Sequence, residues 1–124
     1  MVQSDSINVL RQRAAEDLRA AEILIDSNDE LIAPIGFHLQ QFIEKKMKVI
    51  LAEHGIKYPK THDLSILLEL FPHEKISEDD EMFAQIISRF AVESRYEKFS
   101  VPPMDGQQML EKVKRFAELI ESLW

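Results

Sequence analysis

Residues 35–51, IGFHLQQFIEKKMKVIL, constrain the fold more than any other stretch of the chain. At roughly 100° per residue, Ile35, Leu39, Phe42, Ile43, Met47, Val49, Ile50 and Leu51 spread over well more than half the circumference of a helix. A helix that apolar must be covered on several sides, so it belongs at the centre of a helical structure. The strip left over carries His38, Gln41, Lys45 and Lys48, spaced three, four and three residues apart, which stacks four polar side chains in one column.

The flanking segments supply helices to cover it. Ile7, Leu10, Ala14, Leu18, Ala21 and Ile25 step by three or four residues, as in an amphipathic helix, and Asn28-Asp29 closes it. Pro34 suits the first turn of the second helix, where its missing N–H has no partner to lose, and Gly55 suits that helix's C-terminal cap. In THDLSILLELF, Thr61 is the expected cap of a short third helix, with Asp63 in its first turn and Pro72 just past its end. Nearly every residue after Asp63 is apolar, which predicts burial. Ser77 ahead of Glu78, Asp79 and Asp80 is a capping-box-like start for a fourth helix carrying Met82, Phe83, Ile86, Ile87 and Phe90.

The segment SRYEKFSVPPM, residues 94–104, is too rich in proline to stay helical throughout. Asp105 with Gln108 then opens a last helix holding Leu110, Val113, Ala117, Ile120 and Trp124. No stretch alternates in the manner of a β-strand, and none repeats. The spacing predicts an all-α fold, an antiparallel bundle of four long helices plus one short helix, formed by residues 1–124 as a single domain.

Charge and composition narrow the function. Acids outnumber bases 22 to 15, a net charge of −7, which argues against a general polyanion binder while leaving room for a local basic patch. Cysteine is absent, which removes disulfides, thiolate metal sites and thiol nucleophiles. The N-terminal segment is broken by charges every few residues, unlike a signal peptide, and no run reaches membrane-spanning length. A soluble, cytoplasmic protein that does not engage membranes is the expectation.

Three clusters are candidates for chemistry. The column His38, Gln41, Lys45 and Lys48 reads either as the solvated edge of a core helix, with lysine stems covering apolar surface, or as an anion site. In YPKTHDL, Lys60 and His62 flank a helix start that attracts anions, although Asp63 opposes one there; the plainer reading is a cap and a local hydrogen bond. Arg95-Tyr96 places a planar guanidinium beside an aromatic ring, which suits a nucleobase or phosphate, or equally an Arg–carboxylate tie within the bundle.

Together FHLQQFIEKKMKVIL, PKTHDLSILL and SRY, followed by a closing amphipathic helix, resemble the HEPN domain family of small prokaryotic helical domains. The most specific part is the pattern FH-x-QQ-x-x-EK-x-x-K followed by K-THDL: Phe37, His38, Gln40, Gln41, Glu44, Lys45 and Lys48, then Lys60, Thr61, His62, Asp63 and Leu64. The resemblance implies a homodimer, a role in nucleotide or RNA binding, and frequent pairing with a minimal nucleotidyltransferase protein, as in toxin–antitoxin arrangements. Many members are ribonucleases that use an Arg followed after four to six residues by His. This sequence departs from that pattern, because its last histidine is His73 and no arginine has one at the needed distance. No catalytic residue is therefore assigned.

Other chemistries lack their residues. No Glu-x-x-His pair of a di-metal bundle occurs, no Gly-x-Ser-x-Gly elbow and no Gly-rich phosphate loop, so neither metal nor cofactor is expected. The expected function is a HEPN-like binding module, a homodimer taking a nucleotide or RNA, a nucleotidyltransferase partner, or both. The ligand-binding set is His38, Gln41, Lys45, Lys48, Lys60, His62, Arg95 and Tyr96. The alternatives are a toxin-type RNA-cleaving enzyme with His62 as general base near Arg95, and a purely structural dimer whose column faces a second subunit.

Overall fold

The computed structural model describes residues 2–92 and 104–124. Among them every regular element is a helix: α1 (Val2–Ser27), α2 (Ile32–Glu53), α3 (Leu64–Leu68), α4 (Glu78–Val92) and α5 (Gly106–Glu121). The segment 94–103 and its expected break lie outside the described residues.

Helix α2 packs against all four others, as its wide apolar arc requires. Ile35, Leu39, Ile43, Met47 and Leu51 are fully buried, with Phe42 and Val49 nearly so. From α1, Ala14 and Ala21 reach the core, with Leu18 and Ile25 against its edge. Ala84, Ile87 and Phe90 enter it from α4, and Met109, Val113, Phe116 and Ile120 from α5. The side of Gly36 is where α4 comes closest: a Cβ there would sit 2.3 Å from the Phe90 ring, so only a glycine lets the two helices meet at that distance.

Local chemistry sets the helix ends. Gly55 has φ +70°, and Ile56 N–H donates to Leu51 O at 2.9 Å while Gly55 N–H donates to Ala52 O at 3.0 Å, a complete Schellman cap on α2. Ser77 and Asp80 form a reciprocal box at the start of α4, and Asp105 and Gln108 do so at α5. Trp124 lies beyond the end of α5, where its indole stacks on the His54 imidazole with ring centroids 3.9 Å apart.

The third helix differs from expectation. It is one short turn, and its cap is Asp63, whose Oδ1 accepts from Ser65 N–H at 2.9 Å. Thr61 acts one step earlier, its Oγ1 accepting from Asp63 N–H at 3.0 Å. Leu64, Leu67, Leu68 and Phe71 are buried as the composition suggests, but Ile66 points outward.

Candidate functional site

The polar column on α2 is divided between two carboxylates. Asp17, on α1, receives both His38 and Lys45: His38 Nδ1 lies 2.9 Å from Asp17 Oδ1, and the Lys45 ammonium bonds Asp17 Oδ2. Glu44, on α2 itself, receives Lys48 Nζ at 3.0 Å on one oxygen and His62 Nδ1 at 2.8 Å on the other. A carboxylate only accepts, so each of these imidazoles carries a proton on Nδ1.

Gln40 completes the second set. Its amide Nε2 donates to Glu44 Oε1 at 3.1 Å and to the His62 carbonyl at 2.9 Å, while its Oε1 accepts from Gln41 Nε2 at 2.7 Å. Gln40 is wholly buried and Glu44 is 3% exposed, so every polar atom they bring inside needs a partner. Gln40 and Glu44 thus hold His62 by its backbone and by its ring.

The far side of the same turn is fixed from α4. Leu64 N–H donates to Ser88 Oγ at 2.7 Å, and that hydroxyl donates to Ala84 O. Within THDL, Thr61 makes the turn, His62 faces α2, Asp63 caps α3 and Leu64 anchors in the core. The His62 side chain remains 63% exposed, with Nε2 free of any partner among the described residues.

Two candidates that are separate in the sequence thus meet at Glu44: Lys48 of the column and His62 of the 58–64 turn share its carboxylate, while His38 and Lys45 belong to Asp17. Lys45 and Lys48 are only 18% and 15% exposed, and each ammonium is turned to an internal carboxylate. Lys48 also lies over the Tyr58 ring, 5.7 Å from its centroid, and partial burial pushes that phenol above the ordinary tyrosine range. Lys60 is exposed and without a partner among the described residues. Arg95 and Tyr96 lie outside the described residues. No three His, Asp or Glu side chains among the described residues are grouped to hold a metal ion.

Two acids and an amide that lie outside the expected binding set organise this site: Asp17, Glu44 and Gln40. All three sit within or beside apolar arcs on their helices, where an unpaired charge is costly and a partner must exist. That placement is the signal the sequence offers for them.

The HEPN domain model matches residues 7–123, nearly the entire chain. The chain belongs to the HEPN domain family. Among solved structures, the crystal structure of TT1696 from Thermus thermophilus matches this HEPN chain with a TM-score of 0.73, at 19% identity, over 95% of this chain and 98% of that one. At that identity the likeness concerns the fold. No curated protein matches. No helix among the described residues is long and apolar enough to cross a membrane.

Proposed function

We propose that this HEPN chain is a non-catalytic binding module, acting as a homodimer, that engages a phosphate of a nucleotide or RNA at the exposed edge of the 58–64 turn. The observation that carries this reading is His62, an exposed imidazole fixed at Nδ1 by a buried carboxylate and open at Nε2. Lys60, exposed two residues away, supplies a cation that no acid among the described residues has claimed. With Nδ1–H committed to Glu44, a second proton on the ring goes to Nε2, and the imidazolium then donates from that side to an anion. A nucleotidyltransferase partner fits the same edge, since a polar, preorganised turn can be read by a protein surface as well as by a ligand.

Calorimetric titration with ATP, GTP and short RNAs tests the ligand half. Binding weakened in His62→Ala and in Lys60→Ala supports it, and no heat from any of them at millimolar concentration removes it. The second reading, RNA cleavage with His62 as general base, draws on the same dyad, because a buried acid behind an exposed histidine orients the ring with its free nitrogen outward. Labelled RNA cut by wild type and left whole by His62→Ala is the result that would promote it.

A further inference from the structure

Between the first turn of α4 and the middle of α5 lies a cleft of about 330 Å³ that shares no residue with the Glu44 network. Asp79 and Asp80 stand on its α4 wall and Lys112 and Arg115 on its α5 wall. Phe83 and Phe116 line it from the two helices, their ring centroids 5.5 Å apart. Phe116 is buried and Phe83 half-buried, so it is Phe83 that offers apolar surface to the cleft.

Elsewhere in the chain opposite charges on facing helices close into ion pairs: Lys45 of α2 meets Asp17 of α1, and Lys46 meets Glu121 of α5. Here they have not. Lys112 and Arg115 are exposed and make no hydrogen bond or ion pair with a described residue, and Asp79 is equally without a partner. Asp80 gives one oxygen to the Ser77 cap. A cationic wall and an acidic wall line one cavity without meeting.

An occupant must satisfy both walls at once. The guanidinium and ammonium, one turn apart on α5, call for an anionic group that the Arg115 fork can grip in two places. Asp79 calls for an ammonium, and Phe83 for an apolar body. Two acids and two bases balance, so net charge in the occupant is penalised: a phosphate dianion seated on Arg115 would face Asp79 and Asp80 uncompensated, whereas a zwitterion satisfies each wall. The volume is at the small end of ligand sites and matches a single small molecule.

We propose that the α4–α5 cleft binds a free α-amino acid with an aromatic or large apolar side chain. Its carboxylate sits on Arg115 with Lys112 beside it, its ammonium on Asp79, and its side chain against Phe83.

The test is an NMR titration of the isotopically labelled chain with L-phenylalanine, run beside phenylpropionate, which lacks the ammonium, phenylalaninamide, which lacks the carboxylate, and AMP. Saturable shifts in α4's first turn and around residues 112–116 are expected with L-phenylalanine. Arg115→Gln, Asp79→Asn and each truncated ligand should weaken binding about tenfold or more, the effect of removing a hydrogen bond to a charged group. Both variants alter exposed side chains, and circular dichroism checks that they keep the helical fold. The proposal is overturned by the absence of saturable shifts up to about 10 mM ligand, by binding undiminished in both variants, or by AMP binding in preference to L-phenylalanine.

Discussion

His62 Nδ1 lies 2.8 Å from Glu44 Oε1, across eighteen residues of sequence. That contact fastens an irregular turn to the middle of the most buried helix, and it gives the family's two most specific sequence segments a common physical cause. The imidazole is exposed while the carboxylate is not, so the stability at stake resides in the acid.

Replacing Glu44 should therefore cost more than replacing His62. Glu44→Ala leaves the largely buried Lys48 ammonium without its carboxylate and takes one of the Gln40 amide's two acceptors, a loss of about 3 kcal/mol on the scale of broken buried ion pairs. His62→Ala removes one hydrogen bond from an exposed ring, about 1 kcal/mol. Urea denaturation of both variants measures the order; His62→Ala proving the more destabilising would refute the hierarchy.

Burial also separates two ion pairs that look alike in sequence. Asp17 serves His38 and Lys45 with a side chain only 13% exposed, whereas Arg11 and Glu53 are 50% and 44% exposed. A double-mutant cycle on Asp17 and Lys45 should give a coupling of about 1–3 kcal/mol, and the same cycle on Arg11 and Glu53 less than about 1 kcal/mol. Equal couplings would mean that the Asp17 site is as well solvated as the surface. Charge reversal of Lys45 and Lys48 should for the same reason unfold the chain before it alters any dimer.

The close approach of α2 and α4 rests on a missing methyl. Gly36→Ala would place a Cβ 2.3 Å from a Phe90 ring that is fully buried and has no room to turn away. Overpacking of this kind costs about 1–3 kcal/mol. Better helix propensity would argue for the opposite sign, worth up to about 1 kcal/mol, so a lowered melting temperature shows which effect wins.

The backbone plan is legible in the sequence because short-range chemistry dictates it. The spacing of Ile7 to Ile25, the Ser77-Asp80 and Asp105-Gln108 boxes and Gly55 each act within a few residues. The site is legible only in part. Lys45 and Lys48 line up on a wheel, but a wheel does not show that Asp17 arrives from α1 to take one and that Glu44 keeps the other. Composition overextends the short third helix, because apolar content from Leu64 to Phe71 suits a buried turn as well as a helix. Periodicity places Trp124 inside α5, yet the helix ends at Glu121 with Ser122 as its cap, and Trp124 stacks on His54 beyond it.

Tyr58 ties the site to pH. Burial raises its phenol above the ordinary tyrosine value, so the folded state holds that proton more tightly than the unfolded chain does. Its contribution to stability is fully present below the unfolded tyrosine value and is lost as pH climbs through the raised folded one. Ultraviolet titration of the folded chain should thus show a phenol ionising late, a component absent from Tyr58→Phe. Denaturation midpoints should fall more steeply in wild type than in Tyr58→Phe across the alkaline range from about 10 upward. Parallel declines in the two proteins would mean that the ring is as hydrated as in the unfolded chain, and that Lys48 covers it only loosely.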